Sequence, residues 1–237
     1  MTAIRALEPA GTHGALTLAG EAAVCDLSGA LYVPALSLLV VSDLHLEKGS
    51  SFARRGRLIP PYDTLATLRS LQSAILAYQP RTVVSLGDSF HDPEGSGRLP
   101  DSLRDMIGAL AAGRRWFWIA GNHDPDAPDR LPGDTVSELT LGGLLFRHEP
   151  APGAAEGEVA GHLHPCARIV QRGRSLRRRC FATDGRRLIM PAFGAYTGAL
   201  NVLDRAYVGL FRRESLAALM LGRDRVYTFP GSMLRPG

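Results

Sequence analysis

The sequence predicts an α/β fold of stacked β-sheets with helices packed outside them. Three observations carry this. The first half alternates compact apolar runs with stretches of helical periodicity. The second half is a succession of strand-like runs with few helices between them. Three apolar runs of the first half also end alike, in carboxylate, amide and imidazole side chains. Strand–helix alternation followed by a strand-rich half is the pattern of layered sheets.

Residues 15–18, 22–27 and 30–33 read as short opening strands. SLLVVSD (37–43) is a buried strand, being compact, apolar and rich in Val and Leu. In PYDTLATLRSLQSAILAYQ (61–79), Leu65, Leu68, Leu71, Ile75 and Leu76 recur at helical spacing between Pro61 and Pro80. TVVSLGD (82–88) is a second buried strand. DSLRDMIGALAAG (101–113) reads as a helix with Asp101 as N-cap and Gly113 as C-cap. RWFWIAGNHD (115–124) is a third apolar strand, in which Trp116 and Trp118 belong to the core. Beyond it, 135–141, 143–148, 157–161, 167–171, 175–182, 186–190 and 224–229 read as strands. Gly, Pro and Asp crowd residues 92–97, 124–133 and 149–158, which read as loops too short to divide the chain.

The length of 237 residues suits one large domain spanning 1–237. A hydrophobic fraction of 45% and a charged fraction of 21% exclude a disordered chain. The net charge of +4 points to an anionic partner, but Lys48 is the only lysine and arginine bias can also reflect base composition. Cys25, Cys166 and Cys180 are odd in number and form no C-x-x-C motif, which fits a reduced, cytoplasmic setting. The opening MTAIRALEPAGTHG lacks the apolar core of a signal peptide, and no run is long enough to span a bilayer.

The chemistry lies at the strand ends. VVSDLH (40–45), VVSLGD (83–88) and WIAGNHD (118–124) should bring Asp43, His45, Asp88, Asn122 and His123 to one edge, because ligand sites form beyond the carboxyl ends of strands. LLFRH (144–148) and GHLHP (161–165) add His148, His162 and His164. His162 and His164 are two apart, so on a strand both would face one site. Of seven histidines, all but His13 lie at or just after such strand ends. Imidazole, carboxylate and amide donors without thiolate exclude a cysteine-type structural zinc site and fit Mn, Fe, Zn or similar ions. The donors are too many for one ion with an open position. Two ions bridged by a carboxylate, roughly 3.5–4 Å apart, would use them and suit in-line displacement at phosphorus.

D-x-H, G-D, G-N-H-D, a lone His and G-H-x-H, in this order across residues 38–165, resemble the calcineurin-like metallophosphoesterase superfamily. DLHLEKG, FARRGRLIPPYDT, LGDSFHD, WIAGNHDP, RHEPAPGA, GHLHP, RRRCFATDGRRL, PAFGAYTGALNVLD and LMLGRDRVY look more narrowly like its bacterial ligase-associated DNA damage response endonucleases. The resemblance implies a four-layer sandwich, two mixed β-sheets flanked by helices. It implies a DNA endonuclease with two divalent ions, manganese first and iron, zinc or nickel as alternatives. It also implies a functional association with an ATP-dependent DNA ligase and helicase or exonuclease partners.

Carried over residue by residue, the resemblance gives Asp43, His45 and His164 to the first ion and Asn122, His148 and His162 to the second, with Asp88 bridging. His123 becomes the group that protonates the leaving oxygen or stabilises phosphoryl charge. Asp124 is either an orienting partner of His123 or a turn cap. His91 matches the G-D-x-F-H pattern of double-strand-break repair nucleases in the superfamily, where it handles DNA; otherwise it is a loop histidine. Glu47 departs from the small residue usual in D-L-H-L-x-K-G. It is read as pointing outward, the alternative being that it repels phosphate. Lys48 is a phosphate contact or a plain surface lysine. In ARIVQRGRSLRRRC (167–180), Arg177 and Arg179 either hold a DNA backbone or sit on a solvated sheet face. The same metals would serve a phosphodiesterase or phosphatase for nucleotides or cyclic nucleotides. A non-enzymatic scaffold is disfavoured, because every ligand position is filled, and nothing specific marks a phosphoprotein phosphatase.

Overall fold

The computed structural model describes residues 13–153 and 156–237, so most of the opening segment read for a signal peptide lies outside the described residues. β1 (Gly14–Leu18), β2 (Glu21–Cys25) and β3 (Leu31–Val33) form an antiparallel run that joins β4 (Leu38–Val41). β4 then pairs in parallel with β5 (Thr82–Ser85), β6 (Arg115–Ile119) and β7 (Asp134–Val136) in turn. The first sheet thus runs β1 to β7 in chain order. α1 (Lys48–Arg54) and α2 (Asp63–Tyr78) cross from β4 to β5, and α3 (Gly95–Arg98) and α4 (Asp101–Ala111) from β5 to β6.

The second sheet holds β8 (Glu138–Leu141), β9 (Leu144–Arg147), β10 (Glu158–Ala160), β11 (Pro165–Gln171), β12 (Arg174–Thr183), β13 (Arg187–Ile189), β14 (Leu200–Asn201), β15 (Ala217–Leu221) and β16 (Val226–Pro230). Its order is β14-β11-β12-β13-β10-β9-β8, with β15 pairing β12 and β16. Parallel pairs (β9·β10, β10·β13, β11·β14) mix with antiparallel ones.

Strand alternation decides which side chains fill which layer. Leu38 and Val40 of β4 share a core with Phe146, Val159, Phe181 and Leu188 between the two sheets. Leu39 and Val41 turn the other way and pack with Leu68, Leu71 and Ile75 of α2 and Ile107 and Leu110 of α4. Trp116 and Trp118 are buried in this second core, as the sequence indicates. The outer face of the second sheet (Cys180, Ala182, Ile189, Ala218, Met220) is covered by Val202, Tyr207 and Leu216, from an irregular segment that includes a 3-10 turn at Arg205–Tyr207.

The helices expected at 61–79 and 101–113 are α2 and α4. Asp101 is the first helical residue rather than the N-cap, which is Pro100, and Gly113 follows the last turn at φ 73. α1, α3, β14 and β15 were not legible. KGSSFAR has too few apolar residues to show a stripe, and AALML is alanine-rich and lacks the β-branched residues that mark strands. Cys25, Cys166 and Cys180 are buried and free. Among the described residues no helix is long and apolar enough to cross a membrane.

Candidate metal centre

The parallel strands β4, β5 and β6 end level with one another, and the chain turns sharply after each. Asp43, His45 and Asp88 adopt left-handed backbone, at φ 53, 44 and 46. For side chains with a Cβ this conformation is costly and is found where surrounding contacts enforce it. Here a ladder between the two loops enforces it: His45 N–H donates to the Asp88 carbonyl (2.9 Å), Leu46 N–H to Ser89 (2.9 Å) and His91 N–H to Leu46 (2.9 Å).

His162 and His164 converge by the same device and not by strand pleating. They precede β11 in a loop, at φ 66 and 45, so the expectation that a strand aims them together is corrected. Pro165 opens β11 directly after His164.

Two donor groups result. Asp43, His45 and His164 bring their ligand atoms within 4.8 Å of one another, as do Asp88, His148 and His162. His164 Nε2 lies 3.2 Å from Asp43 Oδ1 and 3.4 Å from His45 Nε2. Asp88 faces both groups: Oδ2 is 3.9 Å from His45 Nε2 and Oδ1 is 3.4 Å from His148 Nε2. Asn122 Oδ1 is 3.0 Å and His162 Nδ1 3.2 Å from that same His148 nitrogen. The seven residues singled out from the sequence therefore meet in one place.

Supporting contacts fix each donor. His148 Nδ1–H donates to the Leu86 carbonyl (2.8 Å), which turns Nε2 toward Asp88. Ser42 Oγ–H donates to Asp43 Oδ2 (2.5 Å), and the His162 N–H donates to the same carboxylate (3.1 Å). His162 Nε2 lies 3.4 Å from Glu149 Oε1, a carboxylate–imidazole pair the sequence reading missed. Its only sequence signal is an acid directly after a candidate ligand.

The motif glycines are forced by close approach. A Cβ at Gly121 would lie 2.2 Å from the Asp88 backbone nitrogen, and one at Gly161 would lie 1.9 Å from Ser42 Oγ.

Electrostatics match a cation-holding cluster. Burial pushes His45 down to about 3, despite Asp43 and Asp88, leaving a neutral imidazole. Burial also opposes charge on His148, but its hydrogen bond to Asp88 and the charges of Asp43 and Asp88 carry it up to about 9. Burial works to raise Asp88, yet His148 holds it near 2. A proton on His148 thus places positive charge among buried carboxylates, the task a dication takes over when it displaces that proton. The residues fit a metal pair.

His123 lies beside Asp88, at 3.9 Å from Oδ2, and its side chain is 40% exposed. His123 Nδ1–H donates to the His91 carbonyl (2.9 Å). That carbonyl, and not Asp124, orients the ring. Asp124 accepts the Phe90 N–H (3.0 Å), and burial pushes its carboxyl up to about 7. His91 Nδ1 sits 3.5 Å from His45 Nδ1, and burial with the nearby Lys48 charge lowers it to about 4. His45, His91 and His123 form a third close donor group.

Lys48 donates to the Tyr196 carbonyl (2.9 Å) and reaches over Phe52, beside His91. Glu47 is buried rather than outward-pointing. It accepts from Thr64 Oγ1 (3.0 Å), so its carboxylate is turned toward α2. Arg177 and Arg179 are engaged with the Ala199 (2.5 Å) and Ala192 (2.7 Å) carbonyls.

The profile for calcineurin-like phosphoesterases matches residues 36–186, a span that includes every residue of this centre. The chain belongs to the calcineurin-like phosphoesterase family. Membership makes this phosphoesterase a phosphoric ester hydrolase of a family that works with a binuclear metal centre. Among solved structures, the phosphoesterase is similar to Pseudomonas putida nuclease MPE at 28% identity, covering 92% of this chain and 100% of that one, with a TM-score of 0.70. A phosphoesterase from E. coli, Yfce, matches at 16% identity over 81% of this chain and 98% of its own, with a TM-score of 0.42. No curated protein matches.

Proposed function

We propose that the chain is a DNA endonuclease that hydrolyses phosphodiesters at a pair of metal ions, with Mn²⁺ as the working ion. The observation that carries the chemistry is the meeting of two donor groups on either side of Asp88. The DNA substrate is supported by likeness to a nuclease over almost the whole chain. It also fits a centre open to solvent, where the side chains of His123 and His162 are 40% and 30% exposed. A role in DNA repair beside an ATP-dependent ligase and helicase or exonuclease partners, in the cytoplasm, is part of the same reading and rests on the sequence resemblance.

Asp43, His45 and His164 would hold one ion, and Asn122, His148 and His162 the other, with Asp88 between the two groups. Metal ions bound there would supply Lewis-acid activation of water and screening of the phosphate charge. His123 holds its Nδ1 proton on the His91 carbonyl, so Nε2 is the atom that delivers a proton to the leaving oxygen. His91, stacked on His123, and Lys48 flank the phosphate on that side. Asp124 braces the loop after β5. Arg177 and Arg179 are read as contacts for the DNA backbone.

The test is nicking of covalently closed circular single-stranded DNA with and without Mn²⁺, with Asp88→Asn as control. A circle has no ends, so metal-dependent nicking lost in the variant supports the endonuclease. An intact circle with hydrolysis of a simple diester would leave the metal assignment and replace DNA by a small nucleotide substrate.

A further inference from the structure

A hollow of about 330 Å³ opens beside His162. That volume lies at the small end for ligand sites and suits one ring system with its sugar. Pro150, Leu163, Val208 and Leu210 give it apolar walls, and Glu149 and His162 its polar rim. We propose that it holds the nucleobase of the nucleotide next to the scissile phosphate. The inference rests on the reading of the centre as a nucleic-acid phosphodiesterase and names the part of the substrate that reading leaves unplaced.

The hollow is built, not incidental. Tyr207 is buried and its hydroxyl donates to the Leu163 carbonyl (2.9 Å), between His162 and His164. Asp204 caps the 3-10 turn by accepting the Ala206 N–H (3.0 Å). These two bonds clamp the wall that carries Val208 to the metal-binding loop. One buried guanidinium ties the walls to each other: Arg187 donates to the Ala151 carbonyl (2.5 Å) on one and the Leu210 carbonyl (2.8 Å) on the other. Val208 is 80% exposed, an apolar side chain held in water at the mouth.

The chemistry selects a base over other occupants. Glu149 at the rim repels a second phosphate but accepts from an exocyclic amino group. Flat proline and leucine walls suit a planar ring. Farther on, a second hollow of about 270 Å³ shares Gly153, Gly209 and Leu210 and adds Arg186 and Arg212. Its one carboxylate, Asp184, accepts from the backbone N–H groups of Arg186, Arg187 and Arg212, and the guanidinium groups of Arg186 and Arg187 are paired with Glu156 and Glu158, which leaves the Arg212 guanidinium for the neighbouring phosphate. Base first and phosphate next is the order along a strand leaving the centre.

Val208→Trp fills the mouth at an exposed position, and Val208→Ala opens it. Calorimetry on the Mn²⁺-loaded protein compares deoxyadenosine 5′-monophosphate with inorganic phosphate. The wild type should bind the nucleotide at least about tenfold more tightly, the scale of one base contact. Val208→Trp should erase that difference while leaving phosphate binding unchanged, and Val208→Ala should keep phosphate binding and part of the difference. In turnover, Val208→Trp should raise KM for thymidine 5′-p-nitrophenyl phosphate and not for bis(p-nitrophenyl) phosphate. Equal effects on nucleotide and phosphate, or none on either, overturn the proposal. A preserved base preference in a protein that leaves circular DNA intact would instead remove the endonuclease reading and keep the pocket.

Discussion

Asp88 divides its two oxygens between two imidazole sets, Oδ2 toward His45 and Oδ1 toward His148. Asp88→Asn removes the charge that offsets two cations at once. Bound metal should fall below two equivalents by elemental analysis, and diester hydrolysis by more than about 10²-fold. If His123 acts on the leaving group as proposed, His123→Ala should lower kcat by about 10²–10⁴-fold with metal content unchanged; a matching loss of metal would reassign it to the ligands. Glu149→Ala should weaken metal binding by about tenfold in a Mn²⁺ titration, because the carboxylate orients His162. At this scale the sequence was most legible. Asp43, His45, Asp88, Asn122, His148, His162 and His164 stand in short motifs, and their residue types name their chemistry. The atoms that aim them were not legible: the Leu86 and His91 carbonyls belong to the backbone, and a carbonyl leaves no mark in a sequence.

Between residue and fold stand the loops that follow β4, β5 and β6. Expected alternation along a strand would have placed His162 and His164 together. Left-handed backbone does it instead, and no residue pattern announces that for histidine. The glycines in G-D, G-N-H-D and G-H-x-H mark the same loops from the other side: they sit where one ligand loop touches another. Gly121→Ala should therefore disrupt the centre while the sheets persist, read as lost metal binding with near-native circular dichroism. α3, hidden in a Gly- and Ser-rich stretch, is anchored by the Arg98 fork on Asp92 at 2.8 Å for each bond and by Arg98 Nε on Ser50 of α1 at 3.1 Å. Burial works to raise the Asp92 carboxyl, but Arg98 and Ser51 hold it at about 2. A carboxyl lowered on folding stabilises fully above its unfolded pKa of about 4 and loses that contribution as pH falls toward 2. Asp92→Asn should then cost about 1–2 kcal/mol in urea unfolding at pH 7 and almost nothing near pH 2. An equal cost at both pH values would rule out the ionised pair as its source.

Across the whole molecule the two sheets share one apolar layer, and a charged pair is buried at its margin. Arg187 and Glu158 are each about 1% exposed and lie on the paired strands β13 and β10. Arg187→Met leaves the buried Glu158 carboxylate with only the Ala151 N–H (3.0 Å) and the more distant Arg147 (3.6 Å), and frees the 151 and 210 carbonyls. A loss of about 3–5 kcal/mol in denaturant unfolding is expected; a change below about 1 kcal/mol would mean the pair is dispensable. Stacked sheets with outer helices followed from the strand–helix alternation and the strand-rich second half. The cover of the second sheet did not, because segment 202–216 buries Val202, Tyr207 and Leu216 without any regular period. The strand order of the first sheet also bears on synthesis. Its strands pair strictly in the order in which they are translated. Each can dock on a neighbour already in place as the chain leaves the ribosome. Asp43, His45, Asp88 and Asn122 would be arranged first, as a carboxylate-rich half-cage with a single imidazole. His148, His162 and His164 arrive with β9 to β11 of the second sheet, so loading with an ion pair would have to wait until those strands have emerged.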